Sequence, residues 1–163
     1  MANTQSMCTS FMEELMLGEH QLGPATLVSR TSLTAPTTDT LKAALYLASA
    51  TMNASATAYT AVNEVSGAGY AAGGVTVTNA TAPNSTNASA TAGVAFFTPS
   101  ASITYTSVTL ATAFDAVLLY NSTQSDKAIS VHTFGSQTIT AGTFTLTMPA
   151  NTTADALIRL ATT

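Results

Sequence analysis

The sequence predicts an all-β protein: a jelly-roll-like antiparallel β-sandwich of about eight strands, with one N-terminal α-helix ahead of it. Three observations carry this. Short segments of strand pattern recur at roughly ten-residue spacing between Gly, Pro, Asn and Ser turn signals, as in sandwiches and barrels. Thr and Ala make up more than a third of the 163 residues, and the branched Cβ of Thr favours strands. Strands do not alternate with helices, and no repeat of fixed period is visible. The length suffices for one domain with a sizeable core.

The elements follow in order. Thr4 to Gly18 reads as an amphipathic helix, because Cys8, Phe11, Met12, Leu15 and Met16 fall at i, i+3, i+4, i+7 and i+8. Thr4 suits the N-cap and Gly18 the C′ position. The apolar stripe either packs on the protein's own sheet or docks on a neighbouring subunit. Gln21 to Thr38 is punctuated by Gly23, Pro24 and Pro36 and reads as a tether, with a short strand at Thr26 to Ser29 as an option. The organisation expected is a helical arm over 1–23, a linker over 24–38 and a sandwich over 39–163.

The stretch from Asp39 to Asn79 organises the rest. Leu41, Ala43, Leu45 and Leu47 share one face of a strand, and a shorter strand is expected at Val75 to Asn79. Between them runs a loop of about twenty-five residues, a length that is usually functional or disordered. It carries Tyr59, Glu64, Val65 and Tyr70, which a disordered linker would tend to lack. Ala80 to Gly93, rich in Asn, Ser, Thr and Ala, reads as an exposed loop. Further strands are expected at Val94–Thr98, Ile103–Leu110, Phe114–Tyr120, Ala128–Phe134, Gln137–Thr140, Thr143–Met148 and Ala156–Ala161. Phe114–Tyr120 is nearly continuous apolar, as for a strand covered on both faces. Turns are expected at Asn121–Lys127, Gly135-Ser136, Ala141-Gly142 and Pro149–Asn151.

The chain is 46% hydrophobic, 7% charged and carries a net charge of −4. Disorder needs the opposite balance. The four basic residues, Arg30, Lys42, Lys127 and Arg159, are scattered, whereas phosphate-backbone binding needs them clustered, so nucleic acid is discounted as a partner. No apolar run approaches the ~20 residues that span a bilayer, so no membrane is expected either. The N-terminus has no basic stretch before an apolar core, and a signal peptide is not expected. The lone Cys8 reads as a small buried hydrophobe.

The chemistry of an enzyme is missing. His20 and His132 lie far apart in sequence, and a triad of His132 with Asp115 and one of many serines is a chance expectation. No closely spaced Cys, His, Asp and Glu set suggests a metal, and Asp126 in its turn is ordinary for a turn. Gly67-Ala68-Gly69-Tyr70-Ala71-Ala72 matches the dinucleotide fingerprint in letters only, since a strand opening at Val75 follows where a helix is required. Those glycines are expected to permit turns at positive φ. No catalytic residue, cofactor or metal is therefore assigned.

Four stretches carry a resemblance to a known family. They are Glu13-Glu14-Leu15 with Gly18; Asp39-Thr40-Leu41-Lys42-Ala43-Ala44-Leu45-Tyr46; Tyr59-Thr60 with Asn63-Glu64-Val65-Ser66-Gly67-Ala68-Gly69-Tyr70 and Ala72-Gly73-Gly74; and Ala116 to Ala128 with Phe134-Gly135 and Gly142-Thr143-Phe144. Together they resemble the small structural proteins of tailed-bacteriophage virions, most closely the capsid decoration or cement type. The resemblance implies a non-enzymatic protein that binds the outer surface of the assembled head, with the major capsid protein and copies of itself (a trimer or dimer) as partners. The alternative is a tail or fibre component that binds a receptor or carbohydrate. The absence of Trp lowers the carbohydrate reading. Contact residues expected on this basis are Phe11, Met12, Leu15 and Met16 of the helix, with Tyr59, Glu64 and Tyr70 of the long loop. Aromatic anchors suit interface hot spots, although Tyr59 and Tyr70 could equally cap the sandwich's own core.

Overall fold

The computed structural model describes residues 3–17, 19–20, 22–23, 37–79, 81–86 and 93–161, and only the backbone of Glu13, Met16 and Leu17. Gly18, Ala80, most of the expected linker and the strand considered at Thr26–Ser29 lie outside the described residues. Within them the protein is an all-β sandwich of two antiparallel sheets, eight strands and one short helix. The elements are β1 (Ser6–Met7), α1 (Thr9–Leu17), β2 (Leu41–Leu47), β3 (Val75–Thr76), β4 (Asn84–Thr86), β5 (Val94–Phe97), β6 (Ile103–Asn121), β7 (Lys127–Leu146) and β8 (Ile158–Ala161). One sheet runs β1-β7-β6-β2-β3 and the other β4-β5-β8.

About eight strands are expected and eight are described, but the membership differs: β1 lies inside the segment expected to be helix, and β4 inside Ala80–Gly93, expected to be an exposed loop. Ile103–Leu110 and Phe114–Tyr120 are one strand, β6, and the three segments expected between Ala128 and Met148 are one strand, β7. Gly135-Ser136 and Ala141-Gly142 are therefore not turns. The β6–β7 ladder instead absorbs its irregularities as register shifts, notably between Val108 and Leu110, which face Gly142 and Ile139, and between Leu110 and Phe114, which faces Gln137. Ser107 and Ala141 take positive φ of 54° and 46° there. Bulges of this kind bend a strand and increase its twist.

The bending folds the hairpin back on itself. Ile103 and Val117 would stand about 46 Å apart on a straight strand, yet they line the same small cavity. Phe144 of the far half packs edge-on against Phe114 of the near half, ring centroids 5.2 Å apart, and lies 5.1 Å from Phe134. Tyr105, also in the far half, donates its hydroxyl hydrogen to the Ala43 carbonyl of β2 at 2.9 Å. The near half of β6, from Ala116 to Asn121, is buried throughout, as its continuous apolar run predicts. Phe97 and Ile158 of the smaller sheet join the same core.

The N-terminal segment also belongs to this core. The helix starts at Thr9 rather than Thr4, because the backbone before it is used in pairing. Ser6 and Met7 pair with Val131 and Ser130 of β7, the Thr4 amide donates to Met52 O at 2.8 Å, and the Cys8 amide donates to Ile129 O at 3.0 Å. Tertiary hydrogen bonding has overridden a helical period here. Cys8 and Phe11 are fully buried, and burial raises the Cys8 thiol to about 11.

Phe114 is fully buried where the two halves of the hairpin meet. Phe114→Ala is expected to cost about 3–5 kcal/mol through lost burial and an unfilled cavity, with Phe114→Leu costing much less. Urea unfolding midpoints at unchanged slope measure both.

Candidate functional site

The long excursion after β2 is ordered by three isolated bridges to the sheet: Glu64 with Tyr46, Ala58 with Lys127 and Ala68 with Thr109. The Leu47 amide donates to Asn63 O and the Val65 amide to Leu45 O, each at 3.0 Å, so residues 63–65 run alongside β2. The glycines allow the close approach. A Cβ on Gly69, at φ +78°, would stand 2.2 Å from Ser107 O, and one on Gly74, at φ +70°, 1.6 Å from Ala43 O. This is what the apparent dinucleotide fingerprint does: it lays loop backbone against β6 and returns the chain to β3.

At the centre of the excursion is the Glu64 carboxylate. Tyr59 donates its hydroxyl hydrogen to Oε2 at 2.6 Å, and Tyr70 donates to Oε1 at 2.7 Å. The Gly73 amide also donates to Oε1 at 2.7 Å. The Tyr70 oxygen in turn accepts the Leu45 amide at 3.0 Å. Tyr120 donates to Gly73 O at 2.8 Å, and Tyr46 to Thr60 O at 2.5 Å. Tyr59 stacks on Tyr120 and Tyr70 on Tyr105, with centroids 4.9 and 5.9 Å apart. All five tyrosines of the chain thus lie in or beside one network. Burial, joined by the Glu64 charge, raises every one of their hydroxyls, Tyr59 to about 12.

A second polar chain fastens the helix to the turn between β6 and β7. Asn121, fully buried, accepts the Thr123 and Gln124 amides on Oδ1. Its Nδ2 therefore donates, to Asp39 Oδ2 at 2.6 Å and to His20 Nδ1 at 2.9 Å. His20 must then carry its hydrogen on Nε2 and donate it to Glu14 Oε2 at 2.7 Å. Lys127 closes the chain on Glu14 Oε1 at 3.0 Å and on the Glu19 carboxylate. Hydrogen bonds to Glu19 and then Glu14 raise the Lys127 ammonium. This tautomer reads like part of a charge relay, but each of its polar atoms is bonded within the fold and no nucleophile is among its partners.

His132 is held elsewhere, with Nε2 2.8 Å from Ser130 Oγ, and burial lowers its pKa to about 4. Asp115, the partner considered for it from sequence, accepts from Asn3 Nδ2 instead. Among the described residues no group of three His, Cys, Asp or Glu side chains is placed to hold a metal ion, and no helix is long and apolar enough to cross a membrane.

The contact residues expected from sequence divide three ways. Tyr59, Glu64 and Tyr70 come together, with their polar groups turned toward one another. Phe11 is fully buried and Leu15 half-buried against the core, while Met12 is 43% exposed. Met16 lies in α1, but its side chain is outside the described atoms. Sequence reasoning missed the Asp39–Asn121–His20–Glu14 chain, whose members are spread over more than a hundred residues. It also missed Val62, the most exposed large apolar side chain described, at 68%. An open groove of about 550 Å³ separates the N-terminal segment from residues 53–57. Its lining, including Thr4, Ser6, Ser10, Asn53 and Ser55, has neither charge nor aromatic ring. No protein family, curated protein or solved structure matches this chain.

Removing the Glu64 carboxylate leaves three part-buried donors without their acceptor. Glu64→Ala should cost about 3 kcal/mol or more, and Glu64→Gln, which keeps one acceptor oxygen, about 1 kcal/mol; denaturant unfolding ranks the two. The pH profile carries a second expectation. Tyr59 holds its proton to about pH 12 when folded and to 10.0 in its ordinary state, so its contribution is complete below pH 10 and is lost as pH rises toward 12. His132 has the opposite sense: its folded value is about 4 against 6.5, so its contribution is present above pH 6.5 and is lost as pH falls toward 4. Thermal melts across pH 3–12 should show both flanks, and His132→Gln should flatten only the acid one.

Proposed function

We propose that this chain is a non-enzymatic structural protein of a tailed-bacteriophage virion, of the capsid decoration or cement type. It binds the outer surface of the assembled head through the major capsid protein and copies of itself. The observation that best supports this reading is where the reactive groups go. The carboxylates of Glu14, Asp39, Glu64 and Asp115 and both imidazoles are hydrogen-bonded inside the fold. What faces outward is largely Thr, Ser and Ala. Such a surface is suited to binding rather than to reaction. The uncharged groove beside residues 53–57 lacks the aromatic platform that sugar recognition usually employs.

Cementing needs no chemistry. A protein that binds the assembled shell but not its dispersed subunits deepens the assembled state by its binding free energy, about 2.7 kcal/mol per site at a hundredfold excess over Kd. Many symmetry-related sites add avidity. The exposed large apolar side chains among the described residues are Val62 on the long loop, Met12 on the helix and Leu160 on β8, and the first two are those this contact would bury.

Copy number and location in purified particles test the proposal. Hundreds of copies on the head are expected, and a few copies at the tail tip would replace it with the tail or fibre reading. Val62→Asp should lower head occupancy at least about tenfold, as loss of one buried apolar anchor does, without changing the thermal midpoint of the free protein.

A further inference from the structure

β1 covers β7 only at Ser130 and Val131. From His132 to Leu146, no described strand, bridge or other backbone hydrogen bond occupies the edge of β7 that faces away from β6. Proteins normally blunt a free edge of this length with Lys, Pro, inward-pointing charge or bulges. Here no charged residue occurs between Lys127 and Asp155, and β7 contains no Pro. Bulges are thus its one such device, and an edge that carries neither charge nor proline is a template for another strand.

The sequence of the edge says which strand. Reading outward from the Ala141-Gly142 bond, Thr140 mirrors Thr143, Ile139 mirrors Phe144 and Thr138 mirrors Thr145. An antiparallel pairing across a two-fold axis brings a patch against itself and requires this kind of self-complementarity. The faces agree as well. Ile139 and Phe144 are half-buried on the inner side, and all four threonines are exposed. That match exists only because β7 carries one extra residue between Ile139 and Gly142, which face Leu110 and Val108. The bulge reverses the inside–outside alternation at the centre of the mirror.

We infer that β7 pairs with β7 of a second copy of this chain across a two-fold axis at Ala141-Gly142, making one continuous sheet from two. The interface is backbone hydrogen bonding with Ile139 beside the partner copy's Phe144 on the inner face and threonine beside threonine on the outer. It does not depend on where the protein is used, and its failure would leave binding to the major capsid protein untouched.

The full-length chain should run as a dimer by light scattering in the micromolar range. Thr140→Lys combined with Thr143→Lys sets like charges opposite each other at both mirrored positions and should convert it to monomer. Thr140→Glu combined with Thr143→Lys sets opposite charges at the same positions and should restore the dimer. In the wild type, those amides of residues 138–145 that point away from β6 should be protected from hydrogen exchange and lose that protection on dilution, whereas the Ala141 amide, already bonded to Thr109 Oγ1, should not respond. A wild-type monomer or trimer overturns the inference. So does a lysine variant that stays dimeric, a charge-paired variant that stays monomeric, or exchange at those outward amides that ignores concentration.

Discussion

The three hydrogen bonds received by the Glu64 carboxylate hold the long loop in one shape. Their donors come from Tyr59, Tyr70 and Gly73, so a single side chain gathers three separated points of an excursion that has almost no regular structure of its own. Hydrogen bonds to an ionised acceptor are roughly twice as strong as neutral ones. The tyrosines that make them also carry rings into the stacks with Tyr105 and Tyr120 on β6. Loop order and sheet packing are therefore coupled. Without the carboxylate the loop would lose its internal anchor, and the rings would lose what orients them. A part-buried network with every member satisfied rigidifies its surroundings, and the same network half-satisfied would be costly.

The bent hairpin is the second constraint. A two-stranded ribbon as long as β6–β7 is not stable alone. It is stable here because its far half closes over β2 and its own near half through Phe144, Tyr105 and Ile103. Tyr105 reaches across to Ala43 O, beside the point where Gly74 admits the returning loop. One region of β2 thus receives the loop, the far half of the hairpin and β3 together.

Much of this architecture was legible in the sequence. The all-β class, the buried β2 and the near half of β6 follow from residue type and alternation. The strands inside β6 and β7 were placed well, but their continuity was not. Gly135-Ser136 and Ala141-Gly142 look like turns because turns and bulges draw on the same small residues, and only the partner strand decides between them. The helix start was misplaced by a register that fits both a helix and an edge strand. For the site, Tyr59, Glu64 and Tyr70 stood out as residues that a disordered linker would lack. That they face one another was not visible, since Tyr105 and Tyr120 come from β6, far along the chain. The Asp39–Asn121–His20–Glu14 chain had no local signal at all.

The chain contains no tryptophan, and all five of its tyrosines lie in or beside the Glu64 network. Its tyrosine emission therefore originates in one small region of the molecule. Two of the five phenols, Tyr59 and Tyr70, bond the carboxylate, so opening the loop changes their surroundings directly. The isolated protein carries a native, label-free reporter on this loop.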